Sequence, residues 1–127
     1  MQAAEKMTYV FAPHWQTQDR WYYTMSNSLM REGGTFAKSA QWSKAIEKWE
    51  AFYNNTSKKL NKAKAAANIA LAYEMTDDMD KALEWANTSL NLFIESTSPN
   101  SQERKRALLY RNEIERRNNG INQLNMN

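Results

Sequence analysis

The pattern that begins at Phe36 returns at Tyr73. Each copy opens on an aromatic residue and closes on Lys-Ala, at Lys44-Ala45 and Lys81-Ala82. Each then continues with an aliphatic residue (Ile46, Leu83) and a glutamate (Glu47, Glu84). The spacing between the copies is 37 residues, Ala45 to Ala82. A fixed period in this range marks a chain built from stacked supersecondary units, and it rules out most single-layer alternatives.

Within the units the apolar residues keep helical spacing. Trp42, Ala45, Ile46, Trp49, Phe52 and Tyr53 fall on one stripe of a helix over about 42–53. Asn54-Asn55-Thr56-Ser57 is a polar loop. A helix over about 59–75 turns Ala63, Ala66, Ile69, Ala70 and Tyr73 inward. Thr76-Asp77-Asp78 makes a turn, and a helix over about 79–95 buries Ala82, Leu83, Ala86, Leu90 and Phe93. Ser101 caps a last helix with Ala107, Tyr110 and Ile114 on its apolar edge, and Arg104 stands where a capping-box glutamate would be. Upstream, Asp19 is a capping residue for a helix carrying Trp21, Tyr22, Met25, Leu29 and Met30. That helix is weakened or kinked at Gly33-Gly34. Residues 1–14 read as irregular or briefly extended, with strand-like composition at Thr8–Phe11 and a stop at Pro13. The asparagine-rich tail, 118–127, is expected to fray.

Composition supports this reading. Three glycines and two prolines in 127 residues leave few breaks in regular structure. There is no cysteine, which removes a disulfide framework, a thiolate nucleophile and cysteine-bound zinc. No apolar run approaches the roughly 20 residues of a membrane span, and the N-terminus lacks a signal-peptide pattern. The protein is then cytoplasmic, or the chain is a fragment. The net charge of +3 is local. Arg104, Lys105, Arg106, Arg111, Arg116 and Arg117 face only Glu103, Glu113 and Glu115 in the last segment, and the remainder balances.

The second unit, residues 63–96, resembles a tetratricopeptide repeat, whose period is about 34. Ile69-Ala70 stands at the family's Leu-Gly pair, Tyr73 at its aromatic, Ala82 at its close-packing alanine and Leu90 at the closing aliphatic. Ser89 replaces the second small alanine. The first unit, about 26–59, keeps Gly33, Phe36, Ala45 and Trp49, with Glu32 at the usual leucine position. The wider run from Ala12-Pro13-His14-Trp15 through Trp42–Trp49, Ala66–Glu74 and Ala82–Trp85 is similar to the C-terminal half of an uncharacterised family of Bacteroidetes lipoproteins. That resemblance implies a missing N-terminal domain and a place in the cell envelope, and it brings no activity.

Candidate chemistry is thin. His14 is the one histidine and forms neither a metal site nor a triad alone. Asp77, Asp78 and Asp80 lack the glycine and distal glutamate of a calcium loop and read as helix caps. Glu47 with Glu50, and Glu113 with Glu115, read as solvated pairs among basic residues. Phosphate loops and nucleophile elbows are missing. The basic last helix interleaves acids and offers a single aromatic, Tyr110, so nucleic acid is not an expected partner.

The expectation is therefore an all-α protein: a right-handed superhelix of antiparallel hairpins like that of tetratricopeptide proteins, in about five helices over 15–117, with a capping helix over about 101–117. It is read as a non-catalytic interaction or scaffolding module without cofactor or metal. The resemblance places Asn27, Met30 and Lys38, then Lys64, Asn68, Leu71 and Met75, along a concave groove. Ala37 and Ala67 belong to the same face. Lys64 and Asn68, one turn apart, suit a carboxylate or a peptide backbone. The partner is a protein or peptide, or the chain's own missing N-terminal domain. Weak binding of an anionic polymer through the last helix is a further alternative. Two repeats are short for such stacks, which leaves pairing into a homodimer open.

Overall fold

The computed structural model describes the backbone of residues 3–11 and 16–126, and side chains over 20–122. Its body is all-α. Five helices follow one another: α1 (Ser28–Lys38), α2 (Trp42–Asn55), α3 (Lys59–Met75), α4 (Met79–Ser96) and α5 (Gln102–Met126). Two strands precede them, β1 (Ala3–Phe11) and β2 (Gln16–Thr24), paired antiparallel from Ala3↔Thr24 to Phe11↔Gln16. No helix among the described residues is long and apolar enough to cross a membrane.

The 37-residue repeat is a structural repeat at its turns. After α1 the amide of Gln41 donates to the carbonyl of Phe36 (2.9 Å), and that of Ala40 to Ala37 (3.0 Å). After α3 the amide of Asp78 donates to Tyr73 (3.0 Å), and that of Asp77 to Glu74 (3.1 Å). Both are Schellman closures, and each puts one residue in the left-handed region: Ala40 at φ 58° and Asp77 at φ 62°. The next helix starts two residues later in both units. Aspartate tolerates this conformation and alanine does not, at a cost of about 1–2 kcal/mol. Ala40→Gly should therefore raise stability by about 0.5–1 kcal/mol once the extra freedom of glycine in the unfolded chain is counted. A thermal melt that is unchanged or lowered would contradict this.

Helix α3 is the centre of the fold. It contacts α2 and α4, and β2 crosses its remaining face. Ala63, Ala65, Ala66, Ile69, Ala70, Leu71 and Ala72 are all buried. The short alanine side chains let three neighbours approach one helix closely. Ala82 on α4 is also fully buried, and the Ser89 hydroxyl donates to the carbonyl of Ala63 (2.8 Å), tying α4 to the first turns of α3. In the first hairpin the indole of Trp49 lies on the bare backbone of Gly33 and donates to the carbonyl of Met30 (3.3 Å).

Four expectations change. The segment from Asp19 through Met25 is not a helix: residues up to Thr24 form β2, and α1 begins at Ser28, capped by the Asn27 side chain. Aromatics in succession suit a pleated strand, and β1 supplies the partner that local spacing cannot reveal. Of the two readings of the first segment, irregular or briefly extended, the extended one holds and is longer than Thr8–Phe11: a nine-residue strand over Ala3–Phe11. Residues 12–14, with His14, and Trp15 lie outside the described residues. Gly33-Gly34 neither ends nor divides α1, because burial against Trp49 and Tyr22 holds that stretch in place. At the other end α5 continues through the expected tail to Met126. Asn118 is buried there and donates to Asp80 Oδ1 (3.1 Å), which extends the docked length of the helix beyond 117.

Candidate functional site

The face of α3 assigned to a groove is occupied by β2. Asn68 is fully buried, and its carboxamide grips one residue of the strand. Oδ1 accepts from the Tyr23 amide (2.6 Å), and Nδ2 donates to the Tyr23 carbonyl (2.9 Å). A primary amide is the side chain that can satisfy both backbone groups of an extended residue at once. Its placement on α3 puts those groups against the helix and away from β1.

A second anchor lies three residues earlier on the strand. Arg20 reaches Glu74 at the end of α3. Nε is 2.9 Å and 3.2 Å from the two carboxylate oxygens, and Nη2 is 2.9 Å from Oε2. Glu74 is 1% exposed. Two groups of α5 complete its shell: the Tyr110 hydroxyl donates to Oε1 (2.9 Å), and the Arg117 guanidinium donates to Oε2. One buried carboxylate thus joins β2, α3 and α5. The Arg20 guanidinium also lies 5.5 Å from the centre of the Tyr110 ring. A buried acid is tolerated only when paired and fully hydrogen-bonded, and Glu74 meets that condition.

Between the anchors the strand buries aromatic side chains. Tyr22 packs on Trp49, with ring centres 6.1 Å apart, and covers Gly34. Tyr23 packs on Phe93 at 5.9 Å. Burial pushes the Tyr23 phenol above its ordinary pKa, and the nearby Arg106 partly counters this. Lys64 is buried beside the same ring, with Nζ 5.7 Å from its centre. Loss of water pulls its pKa down, and Glu103 opposes the shift. Trp21 points elsewhere and is 42% exposed.

The seven groove residues therefore divide. Lys64, Asn68 and Leu71 are brought together on α3 and buried beneath the strand. Met30 is 1% exposed and belongs to the core beside Trp49. Asn27 accepts from the amides of Leu29 (2.8 Å) and Met30 (3.3 Å) as the cap of α1, so its polar group is spent on the helix start. Lys38 is exposed at the end of α1, and Met75 is half-buried at the end of α3. Sequence reasoning missed Arg20 and Glu74. A signal existed in the repeat: Glu74 stands where the first unit has the buried Ala37.

The basic last helix is largely occupied. Arg104 Nη2 donates to the carbonyls of Ile94 (2.6 Å) and Thr97 (2.7 Å), closing the end of α4. Arg111 donates to Asn87 Oδ1 (2.7 Å) and pairs with Glu115. Arg116 pairs with Glu113 (2.7 Å), and Arg117 with Glu74. Four of the six cations are thus engaged within the protein. Asp78, one of the acids weighed for calcium, accepts from the Lys81 amide (3.3 Å) as the cap of α4.

No curated protein and no solved structure matches this chain. A family model described as a domain of unknown function (DUF6340) matches residues 31–116, from the first turn of α1 to well inside α5. The match takes in most of both helix hairpins, Asn68, and Glu74 with its Tyr110 partner, while Arg20 and Tyr23 of β2 lie outside it; it covers more than half of the sequence. The chain belongs to the DUF6340 family.

Proposed function

We propose that this protein is a non-catalytic scaffolding module in which a stack of helix hairpins like those of tetratricopeptide proteins grips an extended segment on its concave face. The observation that carries the reading is the Asn68 clamp on both backbone groups of Tyr23. Recognition through the main chain is how such a surface holds an extended peptide without a fixed sequence, and side-chain pockets then add preference. The recurring 37-residue hairpins and the small residues at Ala70 and Ala82 support the stacked arrangement.

One observation favours the second reading, a structural module that packs on its own N-terminal part. The segment in the groove comes from the same chain and contributes core residues, Tyr22 at 2% and Tyr23 at 6% exposure. A cell-envelope location goes with that reading. The polymer-binding alternative loses support, because Arg104, Arg111, Arg116 and Arg117 are held by internal partners.

Asn68→Ala leaves the Tyr23 amide buried without its acceptor and should cost about 1–3 kcal/mol. Hydrogen exchange is the sharper readout. Amides of residues 20–24 should exchange at least about tenfold faster, corresponding to about 1.4 kcal/mol of local opening, while the centre of α3 and α4 stays protected. A synthetic peptide of residues 16–24 should then bind an Arg20→Ala/Tyr23→Ala chain, whose own strand is loosened while Asn68 and Glu74 are kept, and ignore the parent, whose groove is filled. Unchanged strand exchange, or a peptide that binds neither chain, counts against a strand-gripping groove.

A further inference from the structure

A second surface lies where β2 and α5 form an open cleft of about 450 Å3. Arg20 and Trp21 line it from the strand. Lys105, Arg106, Leu109 and Tyr110 line it from α5. Its volume is that of a site for a short ligand segment.

Two properties set this cleft apart. The first is unspent positive charge. Glu113, the acid on the rim, is paired with Arg116. Among the described residues Lys105 and Arg106 meet no carboxylate, and they are the two cations of α5 that line the cleft. Arg106 is preorganised: its guanidinium carbon lies 5.1 Å from the centre of the Trp21 ring and 5.7 Å from that of Tyr23. The two rings hold the guanidinium in place, and its hydrogen bond within the protein is a long one, 3.5 Å to Tyr23 Oη, so its N–H groups suit a stronger acceptor. The second property is exposed apolar surface beside the charge. Trp21 is 42% exposed and Leu109 is 71% exposed.

We propose that the cleft between β2 and α5 binds an acidic peptide segment of a partner protein, with carboxylates on Lys105 and Arg106 and an apolar side chain against Trp21 and Leu109. Charge complementarity selects the acid, and the exposed indole and leucine select the neighbouring apolar residue. A nucleic acid strand fits less well. It needs a row of cations along its backbone, and the other arginines of α5 are held by internal partners. The lining of this cleft contains neither Asn68 nor Lys64.

The test is selection of a random twelve-residue peptide library on the immobilised full chain. Peptides that carry at least two acidic residues next to an aromatic or aliphatic residue should be enriched. In solution, fluorescein-labelled copies of the enriched peptides should bind with affinity that falls as salt rises. Lys105→Glu should weaken them at least about tenfold, and Leu109→Glu should do so independently. Both positions are exposed, so the helical spectrum should match the parent. Neutral or basic consensus peptides, no enrichment over a bare surface, or equal binding to Lys105→Glu would overturn the proposal. So would tighter binding of a labelled oligouridylate than of any enriched peptide. All of these measurements keep the strand of the parent in place, so a failure here is read at Lys105 and Leu109, and a failure of the groove reading is read in the strand exchange of Asn68→Ala.

Discussion

Glu74→Ala should destabilise the protein by about 3–5 kcal/mol, the cost of removing one member of a buried ion pair. The Arg20 side chain is 7% exposed and that of Arg117 is 17% exposed, so neither guanidinium can exchange the lost carboxylate freely for water. The Tyr110 hydroxyl loses its acceptor in the same step. Urea denaturation followed by circular dichroism reads the effect as a lower midpoint with an unchanged slope. The pairing matters more than the charge itself. Replacing Arg20 and Glu74 together by Met and Leu should cost clearly less than Glu74→Ala alone, because the buried ion pair then leaves as a unit and Arg117 keeps partial access to solvent. A Glu74→Ala midpoint within experimental error of the parent would show that the carboxylate does not hold the strand, α3 and α5 together.

Local spacing could not have located this hub. Glu74 finds its partners 54 residues upstream and 36 and 43 residues downstream. What was legible is what repeats. The period set by Ala45 and Ala82 places the starts of α2 and α4, and Thr76-Asp77-Asp78 marks the turn before α4, because that turn is closed by a few consecutive residues. The start of α3 and the cap at Ser101, whose hydroxyl accepts from the Arg104 amide (3.2 Å), were legible for the same reason. The strand was not. Trp21, Met25 and Leu29 happen to stand four apart, and that spacing read as one face of a helix. The decisive contacts are instead cross-strand pairs with β1 and the Asn68 clamp, both far away in sequence.

The groove shows the same limit from the other side. Lys64 and Asn68 were read as residues suited to a carboxylate or a peptide backbone, and Asn68 does hold a peptide backbone. Its owner could not be read from the helix alone. Of the residues of α3 that look available on a helical wheel, Leu71 is buried, and Ala67 is half-buried beside Trp21 and Tyr23 of β2 and Ala107 and Tyr110 of α5. An alanine-rich helix with small residues on every side is the mark of a central helix with several neighbours, and α3 carries that mark. The asparagine tail misled in the opposite direction. Asn118 looks like the start of a polar end, but one buried bond to Asp80 is enough to keep that turn docked.

Trp49→Ala should be comparably damaging, at about 3–5 kcal/mol, because a fully buried indole leaves a cavity that the surrounding helices close only in part. Its partner Gly33 supplies the sharper experiment. A Cβ on Gly33 would stand 2.7 Å from Trp49 Cε2 and closer still to Nε1 and Cδ1. Gly33→Ala in the parent should therefore cost about 1–3 kcal/mol by overpacking. The second unit shows why the glycine is needed. Ala70 corresponds to Gly33, and Ala86 corresponds to Trp49. Both members of that pair are buried and small, so the second hairpin has room for a Cβ where the first has none. With the indole removed, the same Gly33→Ala change meets empty space and gains the helix propensity of alanine, about 1 kcal/mol. The sign of its effect should reverse: destabilising beside Trp49, stabilising in the Trp49→Ala chain. A double-mutant cycle by denaturant unfolding measures this directly. A coupling energy near zero would mean that glycine at 33 answers to the backbone of α1 and not to the ring lying on it.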